Sequence, residues 1–174
     1  MKRKICLLLL LPLIGLSSCN NDDNSRKAPV DQLPQPTQSG EYTFGCLVNG
    51  KPMIPNNTMY MSAIYQGGGL QILTEEQKNN KTQGMTIVIL DPININERHD
   101  LSNFPRNGVN YSKSGNNSSL CYYEYEDTFQ GWIKFSKIDR INYIVSGTFE
   151  YSTVNENCDT IRVTDGRFDL PYIP

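Results

Sequence analysis

An alternation of apolar and polar residues runs from residue 141 to residue 152 and constrains the fold more strongly than any other stretch of the chain. One side carries Ile141, Tyr143, Val145, Gly147, Phe149 and Tyr151, and the other carries Asn142, Ser146, Thr148, Glu150 and Ser152. Successive side chains of a β-strand point to opposite faces of a sheet, so the pattern predicts a strand that buries only one face. Ile144 is the one apolar residue on the polar side.

Shorter β-like runs fill the rest of segment 41–174. They lie at residues 41–48, 59–65, 70–74, 85–90, 120–126, 132–138 and 160–172, separated by clusters of Gly, Asn, Pro and Ser. Asn49-Gly50 suits a type I′ hairpin turn, and the run 85–90 is apolar on both faces, as in a central strand. Only residues 74–82 and 94–103 could hold short helices. Many short strands predict an all-β domain, either an antiparallel β-sandwich or a partly open β-barrel.

The last two predicted strands form a long C-terminal hairpin with one irregularity. Ile161 and Val163 point inward at odd positions, but the apolar residues from Phe168 onward lie at even positions, so the phase slips by one residue at Asp165-Gly166. Either a bulge within one long strand or a second two-residue hairpin accounts for the slip. Because the two strands match in length, we favour the bulge. The predicted register places Phe149 opposite Val163, Val145 opposite Phe168 and Gly147 opposite the bulge.

The amino terminus has the order of an export signal. Lys2, Arg3 and Lys4 precede an apolar stretch from Ile5 to Leu16, which ends in Leu16-Ser17-Ser18-Cys19. The stretch is interrupted by Pro12 and falls short of the roughly 20 residues that span a bilayer. It resembles the signal and lipobox of bacterial lipoproteins. That resemblance implies cleavage before Cys19, lipidation of Cys19 with diacylglycerol and palmitate, and anchoring in a membrane.

This interpretation divides the chain into three parts. Residues 1–18 are the predicted lipoprotein signal peptide, residues 19–40 are the lipidated cysteine and a disordered tether, and residues 41–174 are a single β domain. Asn20, in place of Asp, implies by the same resemblance transfer to the outer membrane of a Gram-negative cell. Asp22-Asp23 looks like the export tag of surface lipoproteins. We therefore expect a lipid-anchored outer-membrane protein whose domain faces the periplasm or the cell surface.

The charge of the chain gives it no attraction for nucleic acid. A mature chain that begins at Cys19 has 13 basic and 18 acidic residues, which is a net charge of −5. Nucleic acids and anionic lipid surfaces are bound through clustered positive charge, so neither is predicted as a partner of the domain. The membrane contact that we predict is made by the lipid anchor alone.

Two stretches resemble an uncharacterised family of bacterial lipoproteins, a domain of unknown function. The first is Thr43-Phe44-Gly45-Cys46-Leu47-Val48-Asn49-Gly50; the second combines Ser146-Gly147-Thr148-Phe149-Glu150 with Thr164-Asp165-Gly166-Arg167-Phe168-Asp169. The resemblance covers the two ends of the domain well and residues 56–131 poorly. It implies an all-β extracytoplasmic domain and brings no catalytic residues.

Three cysteines remain for the folded domain, since Cys6 leaves with the signal and Cys19 is the predicted lipid site. Export permits a disulfide, and Cys46, Cys121 and Cys158 allow three single bridges. A bridge from Cys46 to Cys158 would close a long loop and contribute roughly 4 to 5 kcal/mol through lost chain entropy. Buried free thiols that behave as small apolar groups are the alternative.

The sequence offers little catalytic chemistry. His99 is the only histidine and lies among polar residues, which is typical of a surface position, and no nucleophile elbow accompanies it. Glu124 and Glu126 would point the same way from one strand, about 7 Å apart, as in some glycosidases, although two glutamates on a wet strand face are commoner. We predict no catalytic residue, no cofactor and no metal site.

Aromatic residues give the better indication of binding. Trp132 shares its strand face with Lys134 and Ser136, so we expect it to be partly exposed, and Tyr122 is a second candidate. Exposed aromatic rings stack on sugars or anchor protein contacts. We predict a non-enzymatic binding module for a glycan or protein partner, with a carboxylate-dependent hydrolase or a structural component of the outer membrane as alternatives.

Overall fold

A computed structural model describes residues 27–115 and 118–174, and within them the chain is almost entirely β. Its strands are β1 (Thr43–Val48), β2 (Lys51–Met53), β3 (Met61–Gln66), β4 (Gly69–Lys78), β5 (Lys81–Ile89), β6 (Arg98–Asp100), β7 (Asn107–Gly115), β8 (Ser118–Tyr123), β9 (Thr128–Asp139), β10 (Ile144–Asn155) and β11 (Cys158–Ile173). Short 3-10 helices occupy Pro29–Gln32, Thr58–Tyr60 and Tyr125–Asp127. The predicted all-β class is confirmed.

The strands form one strongly curled open sheet, a half-barrel that is consistent with the predicted sandwich or partly open barrel. The strand order is β6-β9-β10-β11-β3-β4-β5-β7-β8, and β1 lies beside β11 with β2 at its outer edge. Neighbouring strands are antiparallel, except where the end of β11 runs parallel to β3 through Tyr172 and Ile173. β5 lies in the interior of the sheet, between β4 and β7, as its apolar sequence predicted.

Curling brings the inner faces of the two ends of the sheet together around one core. Phe135, Phe149 and Phe168 come from the β9-β10-β11 part, and Ile72 and Ile87 come from the β4-β5 part, all of them almost fully buried. The ring of Phe168 packs against those of Phe135 and Phe149, with centroids 6.1 and 6.3 Å apart. Burial of one side chain of this size stabilises the folded state by about 1.5 to 3 kcal/mol. The apolar residues of the alternating pattern therefore stabilise the fold through their burial.

The bulge that we favoured in the C-terminal hairpin is confirmed, since β11 is one continuous strand. Phe149 pairs with Gly166 and Tyr151 with Val163, so Glu150 alone lies opposite Thr164 and Asp165. Asp165 has a φ of 55°, which is the left-handed conformation that a bulge needs.

The predicted register of this hairpin is displaced. Val145 faces Leu170 instead of Phe168, and Gly147 faces Phe168 instead of the bulge. A Cβ atom at Gly147 would meet the carbonyl oxygen of Lys134 on β9, so glycine is required there by close packing and not by the bulge. The displacement is even, so Val145, Phe149 and Tyr151 stay on their predicted buried face. Ile141 and Tyr143, which were predicted on the same face, instead precede β10 and are exposed.

Neither segment that could have held a short helix is helical. Residues 74–82 form the ends of β4 and β5, joined by a turn at Asn79-Asn80 whose φ angles are 53° and 57°. Residues 94–103 form loops around the short strand β6. Asn49-Gly50 does form the predicted hairpin turn, with φ angles of 48° and 74° and with Val48 paired to Lys51.

The boundary that we predicted between tether and domain needs correction. Residues 1–26, including the predicted signal peptide, Cys19 and the first part of the tether, lie outside the described residues. The rest of the predicted tether packs on the domain: Leu33 is buried, and Pro34 lies directly over Gly45 of β1. The domain therefore begins before residue 41, because one apolar residue and a set of hydrogen bonds fix the segment that precedes β1.

The hydrogen bonds of this segment converge on Asp169, a fully buried carboxylate on β11. Asp169 accepts hydrogen bonds from the hydroxyl groups of Thr37 and Ser146, both at 2.7 Å. The backbone N–H groups of Ser39, Gly40 and Glu41 donate to the same carboxylate at 2.9 to 3.1 Å. Burial alone raises the pKa of Asp169, but the hydrogen bonds from Ser146, Thr37, Glu41 and Gly40 outweigh burial and hold the pKa below its ordinary value.

We expect Asp169→Asn to lower the free energy of unfolding by about 3 kcal/mol, since a neutral amide accepts these hydrogen bonds less strongly and offers a donor to N–H groups. Because the folded-state pKa is depressed, the contribution of Asp169 is complete above the unfolded pKa of about 4 and is lost as the pH falls further. Urea unfolding at pH 7 and pH 3 measures both effects. Asp165→Asn, exposed on the same strand, is the matched control and should change stability little. Equal stability of the two variants would contradict the role of Asp169.

Candidate functional site

Trp132 lies on the outer face of β9 and is partly exposed, as its position in the strand predicted. It pairs with Asp100 of β6 on one side and with Glu150 of β10 on the other. From β6, the guanidinium group of Arg98 lies 4.1 Å from the centroid of the indole ring. Cation–π contact of this kind fixes the orientation of the ring, so the indole is held in place at the surface.

A shallow groove of about 310 Å³ lies on the β10 side of Trp132. Its lining includes Trp132, Gln130, Glu150, Ser152 and Thr164. The bulge of β11 contributes to this lining, because Thr164 is one of the two residues that lie opposite Glu150. The groove therefore combines one aromatic ring with amide, carboxylate and hydroxyl groups from three adjacent strands.

The polar groups of the groove are largely free for a ligand. Gln130 donates one hydrogen bond of 3.3 Å to the hydroxyl of Ser152. Among the described residues, Glu150 receives no side-chain hydrogen bond, and neither Glu150 nor Arg98 belongs to an ion pair. One cationic and one anionic group thus lie on either side of Trp132 without a charged partner.

Tyr122, the second candidate, lies elsewhere. It is on β8, 42 % exposed, and its hydroxyl accepts a hydrogen bond from Asn110 of β7 at 3.1 Å. The nearby rings of Phe104 and Tyr125 stack on each other with centroids 5.2 Å apart and cover Gly108. Tyr122 is not among the described residues that line the groove beside Trp132, so the two candidate binding residues do not share that groove.

The glutamate pair considered for catalysis does not have the predicted geometry. Strand β8 ends at Tyr123, and Glu124 and Glu126 lie at a 3-10 turn on the exposed surface. The backbone N–H of Glu124 donates to the carboxylate of Asp127 at 2.9 Å, which stabilises the turn. The two side chains therefore do not alternate along one strand, and neither lines the groove or a cavity described below.

His99 is buried, which corrects the prediction of a surface histidine. Its ring packs edge-on against Phe135, with centroids 5.7 Å apart, and its Nε2 lies 3.3 Å from the backbone of Asn94. Its neighbours Arg98 and Asp100 lie on the same short strand and are exposed, whereas the alternation of β6 turns the ring of His99 toward the core. Within residues 27–115 and 118–174, no three side chains of His, Cys, Asp or Glu cluster as metal ligands.

A disulfide joins Cys121 of β8 to Cys158 at the start of β11, which is one of the three bridges that the sequence allowed, and the bridge from Cys46 to Cys158 does not form. Cys46 is a free thiol on β1, fully buried, and burial raises its pKa well above the ordinary value. Chain topology decides the pairing: β11 contacts the last strand of the sheet at its start and β3 at its end. The alternative of a buried free thiol holds for Cys46 alone.

A larger cavity that the sequence did not indicate lies beside this disulfide. It has a volume of about 700 Å³ and is lined by Lys51, Lys78, Lys81 and Lys113, which come from four different strands. Glu76, Gln83 and Tyr111 line it as well, together with Cys121 and Asp159. Lys78 and Lys81 flank the turn between β4 and β5, and Lys113 lies on the neighbouring strand β7. Lys51 comes from β2, which is not a neighbour of these strands, so no single sequence motif marks the cavity.

Comparison with protein-family models, with curated proteins and with solved structures finds no match for this chain. The resemblance to an uncharacterised lipoprotein family therefore stays a prediction. In the part of the chain that the structure describes, no helix is both long and apolar enough to cross a bilayer.

Reduction of the Cys121–Cys158 bridge should lower the free energy of unfolding by roughly 4 kcal/mol, because the bridge closes a loop of 37 residues in the unfolded chain. Chemical unfolding with and without a reductant measures this difference. A Cys121→Ala/Cys158→Ala variant should have the free energy of unfolding of the reduced protein, and a reductant should not change it. Cys46→Ala should retain the full response, and a lost response in that variant would contradict the pairing.

Proposed function

We propose that this protein is a lipid-anchored extracytoplasmic module that binds glycans through the groove beside Trp132. The observation that carries the proposal is a partly exposed indole ring, contacted by Arg98 and bordered by Gln130, Glu150, Ser152 and Thr164. Sugar rings have an apolar face of C–H groups and a rim of hydroxyl groups. An aromatic ring packs against the apolar face, and neighbouring amide and carboxylate groups bind the hydroxyls.

The size and polarity of the groove favour a glycan over a protein partner. Its volume of about 310 Å³ is at the lower end of the range for small-ligand sites, which is roughly 300 to 1,000 Å³. A protein interface is usually larger and has an apolar centre. The lining also includes Tyr151 and Val163, but their side chains are buried in the core, so the indole is the large apolar side chain that the groove exposes among the described residues.

The same lining supports binding in preference to hydrolysis. Glycosidases of the common types place two carboxyl groups on either side of the scissile bond. Among the described residues of the groove, Glu150 supplies a single carboxylate. Asp100, the other acidic neighbour of Trp132, accepts hydrogen bonds from Ser102 at 2.7 and 2.8 Å and is engaged in its own loop.

The amino-terminal sequence supports the anchored location. The order of positive residues, apolar stretch and Leu16-Ser17-Ser18-Cys19 is that of a lipoprotein signal, and acyl chains contribute about 0.8 kcal/mol per buried methylene. Residues 19–26 are all that separates the proposed lipid from the first described residue. An extended chain spans at most about 3.6 Å per residue, so this segment holds the folded domain within roughly 30 Å of the membrane.

Glycan-array binding should be lost, or weakened by at least about ten-fold, in Trp132→Ala, because the stacking surface is removed. Phe129→Ala is the matched control: Phe129 is an aromatic residue of the same strand, 52 % exposed and outside the groove, so its removal should leave binding unchanged. Glu150→Gln tests the polar part of the groove without changing its shape. Equal loss in Phe129→Ala, or no glycan bound by the native protein, would refute the proposal.

Cys19→Ser should move the protein from the membrane fraction to the soluble fraction, since it removes the thiol to which the proposed lipid is attached. Cys6→Ser, within the same amino-terminal segment, should leave the protein in the membrane. Mass spectrometry of the native protein should find an acylated chain that begins at Cys19. An unmodified chain that begins at Met1 would contradict the anchor.

A further inference from the structure

We infer that the lysine-lined cavity is a second binding site, for a small polyanion of the class of phosphate- or sulfate-bearing sugars. The cavity is independent of the proposed glycan groove, since the two share no lining residue. The inference rests on three features: the concentration of positive charge at the cavity, the polar floor beneath that charge, and the contrast with the acidic character of the rest of the domain.

Positive charge is concentrated at this cavity. Residues 27–174 contain seven lysines, and Lys51, Lys78, Lys81 and Lys113 all line it. Lys113 lies 3.8 Å from Asp159, and the other three ammonium groups have no ion-pair partner among the described residues. Unpaired ammonium groups around one concavity repel each other, and a bound anion removes that repulsion.

The floor of the cavity is a chain of hydrogen-bonded polar groups. The carboxylate of Glu76, which is 8 % exposed, accepts hydrogen bonds from the backbone N–H of Ile54 at 3.0 Å and from the side chain of Gln83 at 2.7 Å. The hydroxyl of Tyr111 donates to Gln83 at 2.8 Å, and burial raises the pKa of Tyr111, so the hydroxyl keeps its proton. These bonds hold Glu76 and Gln83 in fixed orientations at the cavity surface.

This arrangement suits a ligand with two kinds of group. Phosphate or sulfate groups would pair with the lysines at the rim, and hydroxyl groups would donate to the oxygens of Glu76 and Gln83 at the floor. A simple inorganic anion would use only the rim and leave most of the volume of about 700 Å³ empty. A sugar that carries anionic groups satisfies both parts of the cavity.

The charge of the remaining surface excludes a long polyanion. The cavity lining carries four lysines against Glu76 and Asp159, whereas residues 27–174 together contain 12 basic and 16 acidic residues. A nucleic acid or an extended polysaccharide that reached the cavity would also lie along this acidic surface and would be repelled by it. The positive charge is local, and a ligand that fits inside the cavity meets only that local charge.

A heparin-derived disaccharide with three sulfate groups is the probe for this site, and the same disaccharide without sulfate is its control. Isothermal titration at low salt should detect binding of the sulfated form alone. Lys51→Gln/Lys81→Gln should raise its Kd by about ten-fold, because two exposed charge pairs are lost. Lys27→Gln/Lys134→Gln makes the same change in net charge outside the cavity and should leave the Kd unchanged.

The outcomes separate this inference from the proposed glycan site. Trp132→Ala should bind the sulfated disaccharide as the native protein does, whatever its effect on the glycan array. NMR shifts on titration should centre on Gln83 and Tyr111. No binding of the sulfated form, equal binding of the unsulfated form, or equal weakening by the two double variants would each overturn the inference.

Discussion

The backbone hydrogen bonds of β11 connect all parts of the domain. Along one edge this strand pairs with β10, and along the other it pairs first with β1 and then, through its last residues, with β3. Its first residue is joined covalently to β8, the strand at the far end of the sheet. A single strand of 16 residues therefore determines how far the sheet curls and where its two ends meet. The core, the bulge beside Trp132 and the cavity beside the disulfide all follow from its course.

The parts of this fold that could be predicted are those marked by a local pattern, either a strand with one polar and one apolar face or a strand that is apolar on both faces, as in β5. The alternation in β10 and the phase slip at Asp165 are local patterns, and both survived even though the register moved by two residues. The turn at Asn79-Asn80 was missed because the ends of β4 and β5 are polar on both faces, so no period of two appears there. β7 was missed for a related reason, since its outer residues are small and polar. Leu33 gave no signal either, because one apolar residue among prolines looks like a linker until its partner surface is known.

The two candidate sites differ in whether their residues could be identified from a pattern within one strand. Trp132 was predicted from the parity of a single strand, and its surroundings follow from residues two strands away at most. The lysine cavity depends on the ends of β4, β5 and β7, which are neighbours in the sheet, and on β2, which reaches them only because the open sheet curls. The cysteine pairing also depends on the topology of the sheet. The sequence did not distinguish Cys46 from Cys121 and Cys158, and the course of β11 determines which two of them meet. Chemistry that lies on one strand can be inferred from sequence, whereas chemistry assembled from strand ends requires the topology.

The convergence of hydrogen bonds on Asp169 has a mechanical consequence. The segment that leads into β1 is held by one carboxylate that accepts bonds from Thr37, Ser39, Gly40 and Glu41 at once. A force that pulls on the amino end of the domain acts on these hydrogen bonds before it acts on β1. Because Asp169 belongs to β11, the force is transmitted to β11 at the centre of the sheet. The bonds must break nearly together, since they share one acceptor group. β1 is therefore shielded from being peeled away residue by residue when the chain is under tension.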